Sequence, residues 1–343
     1  MAENPPSRAP LGVALLGHGV AGAGFHAPLI ESLPGLALRV IGTSRPGSLA
    51  QRQPGPRAVS DLRAACEAPD VELVVVATPN AQHEALARHA LEAGKHVLID
   101  KPMALTRRGA DGLIELAGRQ GRLLEVFQNR RRDGDFMAVQ QLLAAGTLGE
   151  LRLYEARWDR FRPQVAAGWR NEAVPGAGLL WDLGPHLVDQ ALCLFGPPDD
   201  FSADLASQRP GARADDYFEL TLRYGPLRVI LSASTLVRNA RPRFALHGSA
   251  GSWLSHGVEP YEPPLRRGEP PGDPAFRARL AHQQALHVDA TGTPNPLRIE
   301  PGDWRSFYVD LERALRGQGP LPVGAAAGRD AVALIEAAHA SAD

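Results

Sequence analysis

Short, continuously apolar runs alternate with stretches of helical periodicity over roughly the first third of the chain. Leu11 to Leu16 is the first such run, the pattern of a central parallel strand covered on both faces. It passes into GHGVAG (17–22) and then an apolar helical stretch through Leu29 and Ile30. Further strands are predicted at 36–42, 71–80, 96–100 and 123–128, with helices at 60–68, 81–93 and 106–118. This alternation predicts a doubly wound α/β fold, an N-terminal Rossmann dinucleotide-binding domain over 11–128 preceded by a disordered leader, 1–10.

The pattern changes over 129–343. A helix at 134–145 and a strand at 151–159 are followed by a loop rich in Arg, Pro and Gly. In 178–196 the apolar positions 180, 183, 187, 191 and 194 have helical spacing. Residues 216–225 and 227–237 alternate with period two and are joined across Gly225-Pro226, which predicts an antiparallel hairpin. More strands are predicted at 243–249 and 251–257, and helices at 303–317 and 324–340. Residues 257–303 are rich in Pro and Gly with little periodicity, and read as a long ordered excursion. The expectation is a C-terminal α+β domain on a mostly antiparallel open sheet.

Composition narrows the function. At 343 residues there is room for two cores, and the net charge of −1 supplies no field for nucleic acid or a membrane surface. No nucleic-acid motif or basic stripe is visible, and no apolar run approaches the roughly 18–20 residues of a membrane span. A cytoplasmic protein is expected. Cys66 and Cys193 lack metal-ligand spacing and read as core thiols, and no metal site is expected.

Gly17, Gly19 and Gly22 form G-x-G-x-x-G between a buried strand and a helix, enclosing Val20 and Ala21. Such a loop turns tightly, lets backbone approach a pyrophosphate and aims a helix N-terminus at the anion. NAD-preferring folds usually place an acid at the end of the second strand to hold the ribose 2′-OH. Here that strand ends in Thr43, Ser44 and Arg45. Hydroxyls and a guanidinium can accept a 2′-phosphate, so NADP is expected, with NAD possible.

Of 37 basic residues only Lys95 and Lys101 are lysine. Lys101 follows the fourth strand, on the edge where α/β sheets bind ligands. Asp182 and His186 stand four apart, on one face of a helix, with Pro185 between them. Singly, these are explained as a helix-cap acid and a core histidine. Together they supply what alcohol oxidation needs: a base near neutral pH for the hydroxyl proton, and a compact ammonium beside the developing alkoxide.

With these motifs the sequence resembles the Gfo/Idh/MocA oxidoreductases, the family of glucose–fructose oxidoreductase and the inositol dehydrogenases. The resemblance runs through GHGVAGAGFHAPLI, ATPNAQHEALARHALEAGKHVLIDKPMAL, WDLGPHLVDQALCLFG and LPVGAAAGRDAVALIEAAHAS. GTSRP, QNRRRDGDF, FRPQVAAGWRNE and RFALHGSAGSW make it most similar to the NADP-dependent scyllo-inositol dehydrogenase branch. The resemblance implies His186 as acid/base, Lys101 polarising the reacting hydroxyl and Asp182 orienting substrate. It also implies Thr78, Pro79, Asn80 and His83 beside the cofactor, Asn129 and Tyr308 lining the substrate pocket, and a cis Lys101-Pro102 bond. Asp100 replaces the family's usual Glu next to the nicotinamide, and Gln128 and Arg132 stand where the branch often has His and Trp. The implied partner is a small polyol or sugar, and the implied assembly a homodimer or homotetramer. Other readings are a different sugar or aldose dehydrogenase of the family, or a non-catalytic NAD(P)-sensing regulator. A regulator predicts a broken Lys/Asp/His set, and here it is intact.

Overall fold

The computed structural model describes residues 9–49 and 55–342, so most of the expected leader lies outside the described residues. The apolar runs form a parallel six-stranded sheet: β1 (Leu11–Leu16), β2 (Leu36–Gly42), β3 (Arg57–Val59), β4 (Leu73–Val76), β5 (His96–Asp100) and β6 (Leu124–Phe127). Its order is β3-β2-β1-β4-β5-β6, with β1 flanked by β2 and β4. The chain reverses direction across the sheet at β1 and β4, and this is where such sheets open a ligand crevice.

The connecting helices are α1 (Ala27–Glu31), α2 (Leu62–Glu67), α3 (His83–Glu92) and α4 (Arg107–Gln120). Side-chain caps start two of them. The Asp61 carboxylate accepts from the amides of Arg63 and Ala64 at 2.9 and 3.2 Å, and the Thr106 hydroxyl accepts from that of Gly109 at 3.0 Å. The helix expected after the glycine loop begins instead as a π-helical turn, Gly22–His26, which feeds into α1.

The remaining elements are α5 (Gly134–Ala144), β7 (Leu151–Asp159), α6 (Leu179–Phe195), β8 (Asp200–Ala206), β9 (Tyr217–Tyr224), β10 (Leu227–Ser234), β11 (Phe244–Gly248) and β12 (Gly251–His256). They are followed by α7 (Glu262–Arg266), β13 (Gln283–Val288), β14 (Pro294–Ile299), α8 (Arg305–Leu315) and α9 (Ala325–Ala342). The eight strands form one sheet, ordered β14-β13-β12-β11-β7-β10-β9-β8. Its pairs are antiparallel except β7 with β10. The hairpin expected across Gly225 is β9–β10.

The structure adds to the sequence reading in two places and corrects it in one. The 257–303 excursion contains α7 and the paired strands β13 and β14, which extend the sheet. β14 hid because Pro294 and Pro296 occupy alternate positions of an exposed edge strand, where proline removes no ladder bond. β8 and β3 were also not predicted. Cys66 is buried, but Cys193 is exposed rather than a core thiol.

One apolar cluster runs from Val74, Val97 and Val126 in the first sheet through Met103 and α9 to Leu180, Leu187, Phe218 and Leu231 under the second. Gly328 of α9 sits so close to β6 that a Cβ there would lie 2.6 Å from Val126 Cγ2. A second cluster covers the other face of the first sheet, where Val13, Leu15 and Val75 pack with Trp304, Phe307, Tyr308 and Leu311. Both closing helices therefore return to the nucleotide-binding sheet. Among the described residues no helix is long and apolar enough to cross a membrane.

Candidate active site

Two adjoining cavities open at the reversal point. The first, about 420 Å³, runs along the glycine loop and the ends of β2 and β4. Gly17 has φ +95°, and a Cβ there would meet the Ala77 carbonyl at 2.5 Å; one on Gly22 would meet the Gly17 carbonyl at 2.0 Å. Above Gly19 nothing lies within 4 Å. The loop is closed on its protein side and bare on its cavity side, as a bound pyrophosphate requires.

Val20, Ala21, Thr43, Ser44, Arg45, Thr78, Pro79, Asn80, Asp100 and Lys101 all line this cavity, as expected. The Thr78 hydroxyl is buried without a hydrogen-bond partner, a donor or acceptor left for a ligand. Asn80 Nδ2 donates to the Gly176 carbonyl at 2.9 Å, tying the loop to the second half of the chain. At the β2 end the described lining residues include no carboxylate. These features fit a dinucleotide.

His83 does not line the cavity, contrary to the sequence reading. It is buried beneath it, with Nδ1 2.7 Å from the Pro102 carbonyl and Nε2 2.8 Å from that of Thr78. It braces the loop after β4 against the segment carrying Lys101. The Lys101-Pro102 bond is cis.

The second cavity, about 320 Å³, shares Val20, Ala21, Asp100, Lys101, Arg170 and Asp182 with the first and is completed by Asn129 and His186, among others. Its key residues enter through α6. Asp215 on a distant loop caps that helix, its carbonyl and carboxylate accepting from the amides of Leu179 and Leu180. Pro185 lies inside the helix and has no amide to donate to the Trp181 carbonyl one turn back. The Asp182 carbonyl accepts a hydrogen bond from Lys101 Nζ. Asp182 Oδ1 lies 3.8 Å from Lys101 Nζ and 3.3 Å from Arg170 Nε, and Oδ2 lies 3.8 Å from Arg160 Nη1.

The electrostatics follow from burial and these neighbours. Burial pulls the Lys101 ammonium below its ordinary range, with Asp182 and Asp100 partly opposing it. Burial works to raise Asp182, but Lys101, Arg170 and Arg160 outweigh it and hold the carboxyl below its usual range. His186 is driven well below the usual imidazole range by burial, then by Lys101, Arg130, Arg243 and Arg160. Its Nδ1 has no hydrogen-bond partner, and its ring lies 5.9 Å from that of Trp158.

Tyr308 requires correction. It lines neither cavity; its hydroxyl is 2.6 Å from His26 Nδ1, within the aromatic packing around Phe127. His26 Nε2 in turn faces Asp100 Oδ2 at 3.8 Å, and Asp100 Oδ1 accepts from the Lys101 amide at 2.8 Å. Sequence reasoning assigned His26 no role, although FHAPLI contains it. It also missed Arg130, Trp158, Arg160, Arg162, Arg170 and Glu262, which line the second cavity. Gln128 and Arg132 line neither cavity: Gln128 Nε2 donates to the Pro185 carbonyl and Arg132 pairs with Asp310. Among the described residues no group of His, Cys, Asp and Glu could hold a metal ion.

Comparison with known proteins agrees with this arrangement. Residues 11–128 match the model of the oxidoreductase family's NAD-binding Rossmann fold, and residues 140–343 that of its C-terminal alpha/beta domain. The uncharacterised oxidoreductase YdgJ of Escherichia coli (strain K12) is 41% identical over 94% of this chain and 94% of its own. The scyllo-inositol 2-dehydrogenase (NADP+) IolW of Bacillus subtilis (strain 168) is 34% identical over 96% of this chain and 93% of its own. A crystal structure of an oxidoreductase from Klebsiella pneumoniae superposes with a TM-score of 0.90 at 38% identity, covering 98% of this chain and 93% of that one. A dinucleotide cradle opening onto a pocket with a lysine, an aspartate and a histidine, on a fold matched along nearly its whole length, thus places this chain in the Gfo/Idh/MocA family of nicotinamide-dependent oxidoreductases.

Proposed function

We propose that the protein interconverts a secondary alcohol and a ketone on a cyclitol or sugar, using NADP, in the manner of a scyllo-inositol 2-dehydrogenase. The observation that carries this reading is the convergence of Lys101, Asp182 and His186 on the wall of one cavity that adjoins the dinucleotide cradle. The nicotinamide supplies a hydride acceptor; the chain's own residues manage the proton and the charge. His186, kept neutral by burial and surrounding cations, takes the hydroxyl proton in the oxidative direction. Lys101 donates to the substrate oxygen as negative charge develops on it. Asp182 holds Lys101 in place and accepts from a neighbouring substrate hydroxyl. Thr43, Ser44 and Arg45 receive the 2′-phosphate. The relative named for NADP-dependent scyllo-inositol oxidation supports the same choice of cofactor and substrate.

The test is absorbance at the reduced-nicotinamide band with scyllo-inositol, myo-inositol and a panel of sugars, each with NADP and with NAD. Reduction of NADP is expected. Lys101→Ala and His186→Ala should each lower kcat by about 10²- to 10⁴-fold while cofactor binding persists. Arg45→Ala should weaken NADP on the order of tenfold or more and leave NAD little changed. Normal turnover in both site variants would remove the catalytic assignment, and an NAD preference in the unaltered protein would remove the cofactor assignment.

A further inference from the structure

The second cavity holds more positive charge than a neutral polyol requires. Its described walls carry six cations, Lys101, Arg130, Arg160, Arg162, Arg170 and Arg266, against three carboxylates, Asp100, Asp182 and Glu262. This surplus arises in a chain whose net charge is −1.

The pairing is uneven. Glu262 takes Arg130 at 2.6 Å and Arg266 at 2.7 Å, and Arg130 also approaches the buried Asp133 at 3.4 Å. Its guanidinium is wedged between the rings of Trp158 and Trp304, 4.8 and 4.6 Å from their centroids, so Arg130 belongs to the protein frame. On the other wall a single carboxylate, Asp182, faces Lys101, Arg160 and Arg170 at once, each at 3.3 to 3.8 Å. Arg162 lines the same cavity, and no described carboxylate lies within ion-pair distance of its side chain. Of Arg160, Arg162 and Arg170, only Arg170 also borders the dinucleotide cavity, so this charge is not there chiefly for the cofactor phosphates. The buried His186 Nδ1 and Arg130 Nε, both without partners, add unmet polar groups in the same place. Guanidinium forks arranged this way bind planar or tetrahedral oxyanions.

We infer that the substrate is an anionic polyol, a sugar or cyclitol bearing a carboxylate or a phosphate monoester, whose oxyanion is held by Arg160, Arg162 and Arg170 at the mouth of the second cavity. This rests on the dehydrogenase reading above and departs from it in one respect, giving the cyclitol or sugar a charged group that scyllo-inositol lacks. The reacting carbon then lies toward Lys101 and His186, and the charged end toward solvent, where Arg162 is exposed.

The experiment compares two matched pairs with NADP: D-galacturonate with D-galactose, and glucose 6-phosphate with glucose. For each, kcat/KM and calorimetric binding to cofactor-loaded protein are measured in unaltered protein, Arg162→Gln and Arg162→Lys. In at least one pair the anion should be preferred on the order of tenfold or more, the preference falling as salt rises. The favoured pair tells carboxylate from phosphate. Arg162→Gln should cut the anion-to-neutral ratio about tenfold, and Arg162→Lys should restore part of it. Equal kcat/KM within both pairs, or a ratio untouched by Arg162→Gln, overturns the inference; continued oxidation of neutral sugars would then leave the dehydrogenase reading standing. Preferential binding of an anion without turnover of any sugar overturns the claim that the bound anion is the substrate. No binding preference and no turnover overturns both this inference and the dehydrogenase reading.

Discussion

A base that works among cations must be one that does not want a proton, and His186 is built that way. Burial and four surrounding cationic side chains hold its pKa well below the ordinary 6.5. Because the oxidative direction needs the neutral ring, activity is retained as pH falls until that depressed value is reached. The acid limb of kcat/KM for alcohol oxidation should therefore lie below pH 6.5; a limb at or above that value would argue against His186 as the base. At this scale the sequence was informative where a residue type is chemically specific. Lys101 stood out in an arginine-rich chain, and Asp182 and His186 by their helical spacing. It was uninformative where a role comes from a distant partner. Tyr308 looked like a pocket residue, but its hydroxyl belongs to His26, 282 positions away. Arg160 and Arg162 were indistinguishable from other arginines until the fold brought them to one cavity.

Glu125 shows how one element positions another. It sits on β6 with both carboxylate oxygens occupied by amides at the entrance to α9: Val323 at 3.1 Å and Gly324 at 2.9 and 3.1 Å, with its neighbour Val126 at 2.7 Å. Glu125→Gln turns one acceptor into a donor facing these N–H groups. A loss of about 1–3 kcal/mol is expected, read from urea denaturation; unchanged stability would mean that α9 is held by packing alone. Strands buried on both faces announced themselves as apolar runs. The strands that escaped were the three-residue β3, the edge strands β8 and β14, and β13, which lies beside β14. In β8 the apolar side, Phe201, Ala203 and Leu205, is only half-buried between exposed Asp200, Ser202 and Asp204. The π-helical turn after the glycine loop was equally invisible, because its residues suit an ordinary helix.

At the scale of the molecule, two sheets share one continuous apolar interior. Chains with separable domains often unfold in steps, but here α9 packs against both sheets and α8 covers the first. Thermal unfolding should be a single transition, with far-UV circular dichroism and tryptophan emission coincident. Trp304 reports on the first sheet's cover and Trp158, Trp181 and Trp253 on the second half, so two separated transitions would refute this coupling. The alternation of strand and helix made the Rossmann half legible, and the change of periodicity marked the second. That the last helices return to the first sheet was not legible, since periodicity shows which face is apolar and not what covers it. The two prolines of β14 have a further effect. Pro294 and Pro296 strip amide donors from the rim of the eight-stranded sheet. That rim makes a poor template for an incoming strand, which directs any self-association of the chain toward the face of the sheet or the opposite border at β8.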